Sequence, residues 1–277
     1  MKPRPFDYVR PDTVDEALEM LAEHGDDARI LAGGQTLLAM LNLRVVEAAM
    51  LVDITRIPEL DDIREVDGKV EVGAAVTQNR LLSWPPLRHK LPLLHAALPF
   101  VGHFQTRNKG TVCGSIAHAD PASEIPLALV LLDGEVVLRS RKRARVVAAG
   151  EFQQGMLTTA RESDEMITAV RFPVTRAGAG VAFREVARRH GDFAIIAVAA
   201  TTVDNGDGVR IGVAGMADRP AVRHLDVNGA APLRGAIERL VWELNGYDDI
   251  HASAHMRRDL LRRIAPLVVR EAMQCAA

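Results

Sequence analysis

The 277-residue sequence predicts an α+β fold in three lobes, and three observations carry that expectation. The opening segment reads as a helix and a short apolar strand, followed by a second helix and a second apolar strand. IREVDGKVEVGAAVT places two alternating strands around Asp67-Gly68, a strong hairpin dipeptide. Beyond Arg176 the chain reads as antiparallel strands followed by two helices. At roughly 150 residues per domain, the length accommodates two or three packed units.

In order along the chain, Thr13 is a candidate N-cap with Glu16 at the capping-box spacing. Ala17, Leu18, Leu21 and Ala22 form the apolar stripe of the first helix, and Gly25 stops it. ARILA is a buried strand, LLAMLNLR a helix, and MLVDIT a strand expected to pair in parallel with ARILA. After the Asp67-Gly68 hairpin, QNRLLSWPPLRHKLPLLHAALPFVG is helical, broken at Pro85-Pro86 and Pro92. A helix at IPLALVLL precedes two strands meeting at the basic run Ser140-Arg-Lys-Arg143, and AVRFPV closes the lobe. VAFREVARR, FAIIAVAATTVDNG and VRIGVAGMA are strands of the last lobe, with a turn at Asp204–Gly208. Helices start at about Leu233 and about Ser253. The expected divisions are residues 1–56, 57–176 and 177–277.

Composition excludes several classes. A net charge of −2 gives no electrostatic case for nucleic acid or anionic membranes. No apolar run approaches the ~18 residues of a membrane span, and the N-terminus lacks a signal-peptide core, so a cytoplasmic location is expected. Two cysteines are too few for a disulfide scaffold or an iron–sulfur cluster, and the nine histidines show no zinc spacing. Any redox chemistry must therefore come from a bound organic cofactor or another chain. Metal ligands and catalytic side chains are not expected.

Two glycine-bearing segments remain. In Ala32-Gly-Gly-Gln-Thr36 the glycines suit either a tight turn or a nest of backbone N–H groups for an anion. It lacks the third glycine and the downstream acid of a dinucleotide-binding βαβ fingerprint. The second segment, RNKGTVCGSIAHADPASEIP, is poor in bulky apolar residues and carries Thr111, Ser115, His118, Asp120 and Glu124. It reads either as a plain loop before a helix starting at Asp120-Pro121 or as backbone lying against a ligand. The Arg139–Arg143 run with Arg145 reads as a solvated hairpin tip, His251 and His255 as exposed residues sharing a helix face, and Trp84 and Trp242 as packing residues.

AGGQTLL followed by TVCGSIAHADPASE closely resembles the FAD-binding medium subunit of the molybdenum hydroxylases, a family that includes carbon monoxide dehydrogenase, N-heterocycle dehydrogenases and the xanthine dehydrogenase flavin domain. The likeness runs from FDYVRPDTVDEAL to HASAHMRRDLLRR. It implies a two-lobed FAD-binding domain of the PCMH (vanillyl-alcohol-oxidase-like) type plus a C-terminal α/β lobe with an antiparallel sheet. By that resemblance Ala32, Gly33, Gly34, Gln35 and Thr36 wall the diphosphate, with Ile30 and Leu31 on the approaching strand. Thr111, Val112, Gly114 and Ser115 form the second wall, and Asp120 and Glu124 match positions holding ribose or ribityl hydroxyls. Val101 and Ile167 match apolar contacts to the ends of the cofactor. Arg184 and the Arg188–Phe193 loop match the segment beside the flavin ring, with Phe193 over one face.

The resemblance further implies a heterotrimer, commonly dimerised. A large subunit carries the molybdenum–pterin cofactor, and a small subunit carries two [2Fe–2S] clusters that relay electrons to this chain's FAD and on to an external acceptor. One position departs from the family pattern: Cys113 stands where a glycine is common. An ordinary φ is expected there, with the sulfur packed near the flavin, and a redox role is the alternative. Two other readings of the whole chain stay open, a self-sufficient FAD-dependent oxidoreductase and a non-enzymatic module whose glycine loops hold another ligand.

Overall fold

The computed structural model describes residues 1–203, 208–226 and 230–275. The turn expected at Asp204–Gly208 lies, apart from Gly208, outside the described residues.

The first lobe is a parallel sheet of β1 (Asp7–Val9), β2 (Ala28–Leu31) and β3 (Met50–Asp53) in the order β1-β3-β2. Its connections hold α1 (Val14–His24) and α2 (Leu37–Leu43). The capping box at the start of α1 forms: Thr13 Oγ1 accepts the Glu16 N–H at 3.2 Å, and the Glu16 carboxylate accepts the Asp12 N–H at 2.9 Å. Val14, Ala17, Leu18 and Leu21 are buried, the one-sided burial that the 3.6-residue period produces.

The second lobe contains β4 (Ile63–Val66), β5 (Lys69–Gly73), β6 (Glu135–Arg139), β7 (Ala144–Ala148), a small ribbon of β8 (Gln153–Gly155) and β9 (Thr158–Thr159), and β10 (Met166–Pro173). Five of these form an antiparallel sheet in the order β4-β5-β10-β6-β7. Asp67 and Gly68 both take positive φ, 50° and 72°, as a two-residue hairpin turn demands. Short helices fill the long β5–β6 connection: α3 (Gln78–Leu82), α4 (Leu87–Lys90), α5 (Pro92–Ala97), α6 (Phe104–Arg107), α7 (Val112–His118) and α8 (Glu124–Leu131). A further short helix, α9 (Ala149–Phe152), follows β7.

The last lobe is an antiparallel sheet of β11 (Val181–Val186), β12 (Ile196–Thr202), β13 (Gly208–Ala214) and β14 (Ala221–Asp226), with α10 (Ala230–Leu244) and α11 (Ala254–Cys275). Both faces of this sheet are buried. Ala197 and Ala199 of β12 join the core shared with the second lobe, whereas Ile196, Val198 and Ala200 pack against α10 and α11. This accounts for the unbroken apolar run AIIAVAA, which would alternate with polar residues in a sheet facing water on one side.

Several expectations change. GTVCGS is not a loop: α7 begins at Val112, capped by Thr111, and the next helix starts at Glu124 rather than at Asp120-Pro121. Strands β1 and β14 had no signal strong enough to mark them. His251 precedes α11 and shares no helix face with His255, which faces Asp259 at 3.3 Å. Trp242 is 61% exposed and lies under the guanidinium groups of Arg258 and Arg262, so it is not a core residue. The basic hairpin tip is tethered rather than simply solvated: Arg139 meets Asp15 at 3.2 Å, Arg143 meets Glu162 at 2.6 Å and Arg145 meets Glu165 at 2.7 Å.

Candidate functional site

A cavity of about 470 Å³ opens where the three lobes meet. That volume lies within the usual range for small-molecule sites, about 300–1,000 Å³. The first lobe contributes Ile30, Ala32, Gly33, Gly34, Gln35 and Thr36. The second contributes Val101, Thr111, Gly114, Ser115, Glu124 and Ile167, and the third contributes Gly191, Asp192 and Phe193.

The first wall is the turn from β2 into α2. Gly34 holds φ +68°, a conformation that favours glycine because a Cβ there crowds the following carbonyl. Gly33 needs its missing side chain for another reason: a Cβ would stand 2.3 Å from the Lys109 carbonyl oxygen and 2.6 Å from Gly110 Cα. The two glycine segments therefore touch, backbone on backbone. Among the described residues, the main-chain N–H groups of Gly33, Gly34, Gln35 and Thr36 donate to no protein acceptor. Four free donors in succession along a concave, half-exposed wall form a nest that suits an anionic partner.

The second wall is pinned to the start of α3. Gln78 N–H donates to Gly110 O at 2.8 Å, and Val112 N–H donates to Val76 O at 3.1 Å. Thr111 Oγ1 then caps α7 by accepting the Gly114 N–H at 3.0 Å. A Cβ at Gly114 would fall 2.7 Å from that same oxygen, so this glycine protects the cap. Cys113 takes an ordinary helical φ, as expected, and its thiol donates to Val72 O at 3.5 Å. Burial pushes the thiol's pKa well up, which holds it protonated and unreactive and counts against a redox role.

Four of the expected residues stand elsewhere. Leu31 leaves the wall and packs toward Gly34 and α2, and Val112 is fully buried in the core. Asp120 closes its own turn by accepting the Ala122 N–H at 2.8 Å. Arg184 lies on the opposite face of β11 and pairs with Glu271 of α11 at 3.0 Å, because alternate residues of a strand point to opposite sides.

The cavity also includes residues that no local pattern marked. Arg29 and Arg161 bring positive charge to it; Arg161 has a depressed pKa, from burial first and from Arg29 second. Gln78 lines it with a buried Oε1 that has no partner among the described residues. Gly102 (φ +55°) and Gly191 (φ +86°) seal the seam to the third lobe: a Cβ on Gly191 would lie 2.9 Å from Gly102 O. A glycine pair in sequence can flag a turn, but nothing local tells that two distant glycines abut. His118, which the second glycine segment did mark, lines the wall as well, its pKa lowered by burial despite Asp120 nearby. Unpaired backbone donors, a half-buried guanidinium and apolar Val101 and Ile167 together fit an extended, anionic, partly aromatic ligand.

Residues 4–175 match the family model described as the FAD binding domain in molybdopterin dehydrogenase. This chain belongs to the FAD-binding medium subunits of the molybdenum hydroxylases. It is 34% identical to the 6-hydroxypseudooxynicotine dehydrogenase complex subunit alpha of Paenarthrobacter nicotinovorans, over all of this chain and 97% of that one. It is 43% identical to the caffeine dehydrogenase subunit beta of a Pseudomonas species, over 70% of this chain and 66% of that one. Among solved structures, a chain of carbon monoxide dehydrogenase from Hydrogenophaga pseudoflava superposes with a TM-score of 0.95 at 30% identity, covering both chains in full. The fold of this medium subunit is thus that of the family's FAD-binding component, and its role is that of an oxidoreductase subunit. No helix among the described residues is long and apolar enough to cross a membrane.

Proposed function

We propose that the three-lobed cavity is the FAD site of this medium subunit, and that the chain holds the cofactor between an iron–sulfur partner and an external electron acceptor. The observation that carries this reading is the convergence of the two glycine segments on one cavity, with four unpaired backbone donors on its wall. When bound, FAD supplies the electron-accepting and electron-releasing chemistry. The protein's part is to bind and orient. Gly33, Gly34, Gln35 and Thr36 offer N–H groups to the diphosphate, helped by the positive charge of Arg161. Glu124 and Ser115 offer polar atoms to sugar hydroxyls, while Val101 and Ile167 exclude water from the ring systems.

The same reading divides the chain at 1–56, 57–176 and 177–277. It places a large molybdopterin-binding subunit and a small subunit with two [2Fe–2S] clusters beside it, assembled as a dimer of heterotrimers in the cytoplasm. These points rest on the family likeness.

Phe193 is 57% exposed on the Arg188–Phe193 loop, at the cavity's edge. Its ring is the guard of the flavin end. Phe193→Ala is expected to change the rate of flavin reduction or reoxidation in stopped-flow experiments, with FAD affinity held within about tenfold because the diphosphate donors lie in another lobe. Unaltered kinetics in both half-reactions would remove Phe193 from that role.

A further inference from the structure

At the junction of the second and third lobes the structure brings two carboxylic acids together with no base between them. Glu124 opens α8 on the cavity wall and is only 5% exposed. Glu185 lies on β11, on the same strand face as Phe183, whose ring packs on Phe100 of the second lobe at 5.4 Å. The two carboxyl groups are within hydrogen-bond reach of one another. Among the described residues the buried Glu185 Oε2 has no protein donor, a costly state for a carboxylate oxygen and an ordinary one for a carboxyl O–H.

We infer that Glu185 and Glu124 share one proton, and that this O–H···O bond makes Glu185 a positioning residue of the cofactor site, fixing Glu124 against the cavity from the neighbouring lobe. The role assigned to Glu124 rests on the cavity being the FAD site; the shared proton does not. Repulsion between two carboxylates in hydrogen-bond reach, Glu124 buried and Glu185 half-buried, disfavours both charges at once, so the pair keeps one proton near neutral pH.

The surroundings reinforce this arrangement. Opposite Glu185, β12 presents Ala197. The neighbouring Arg184 is turned to the other face and occupied by Glu271 of α11. Asp120, before α8, adds negative charge near Glu124, and His118 stands at the end of α7. Helix α5, which packs on β11, carries His95 as its titratable group. Among the described residues neither carboxyl has a cationic partner in an ion pair. Burial first, and then the charge of Asp120, pushes Glu124 up to about 7, although its bond with Glu185 works the other way. Burial first, and then the charge and hydrogen bond of Glu124, push Glu185 up to about 8. Because these folded-state values lie above the unfolded value of 4.5, the stability they contribute is fully present below about pH 4.5, falls as pH rises from there, and is gone above about pH 8.

The test uses the full chain, with and without FAD. The melting temperature of the apoprotein, followed from about pH 4 to about pH 9.5, is expected to fall between about pH 4.5 and about pH 8 and then level, with a shallower fall in Glu185→Gln, which keeps a hydrogen-bond donor but no titrating proton. In FAD titrations Glu185→Ala should weaken binding by about tenfold or more by freeing Glu124, whereas Glu185→Gln should stay within about threefold of the parent. Superposable pH–melting curves for the parent and Glu185→Gln would overturn the shared proton. Parental FAD affinity in Glu185→Ala would overturn the positioning role. The first arm needs no cofactor, so it fails or succeeds independently of the FAD-site reading, whose own test is substitution at Gly33.

Discussion

Replacing Gly33 by valine should yield a chain that folds but copurifies without flavin. The smallest side chain already fails here: a Cβ would lie 2.3 Å from the Lys109 carbonyl oxygen and 2.6 Å from Gly110 Cα, and both neighbours are backbone. Neither can swing aside as a side-chain tip would, so the two glycine segments must part. Overpacking of this kind costs roughly 1–3 kcal/mol of stability, which a domain of this size tolerates. The cavity does not tolerate it, because both of its walls are set by that contact. FAD affinity is expected to fall by about a hundredfold or more, the scale associated with a displacement of about 1 Å at a preorganised site. Circular dichroism reports the fold and the visible flavin bands report occupancy. Full flavin occupancy in folded Gly33→Val protein would refute the assignment of this cavity to FAD. Gly33 is therefore needed less to let a ligand approach than to let one loop rest on another.

The second large effect concerns Arg257, which is 1% exposed in the last lobe. Its Nη1 donates to the Ile195 carbonyl and, at 2.7 Å, to Gly215 O. Its Nη2 meets Asp249 at 2.6 Å, its Nε donates to Tyr247 O at 3.1 Å, and the guanidinium lies 4.4 Å from the Tyr247 ring centroid. One planar fork thus ties α11 to the ends of β12 and β13 and to the loop after α10. Arg257→Met should destabilise by about 3–5 kcal/mol, since it leaves three carbonyls without that donor and Asp249 without its cation. The melting temperature should fall by roughly 10 °C, with hydrogen exchange rising first in α11 and β12. Arg257→Lys should rescue little, because an ammonium point charge cannot span the carbonyls that the fork reaches. A melting temperature within about 2 °C of the parent for Arg257→Met would show that the fork contributes nothing net.

Local chemistry in the sequence determined a large part of the molecule. The Thr13–Glu16 box, the Gly25 stop, the Asp67-Gly68 hairpin and the proline breaks each act over a few residues, and each forms where its chemistry requires. The two glycine-bearing segments were also legible, through their lack of bulky side chains and their likeness to a known family. Tertiary structure alone decided what those segments do to one another. The Gly33–Lys109 and Gly191–Gly102 contacts join stretches far apart in the chain, and no periodicity of 2 or 3.6 residues encodes such a meeting. It also decided which way β11 points. Because both faces of its sheet are buried, an apolar pattern cannot say which one looks toward the cavity, so Arg184 turned to α11 while Glu185 turned to Glu124. Burial in that junction, rather than residue type, is what makes two ordinary glutamates share a proton.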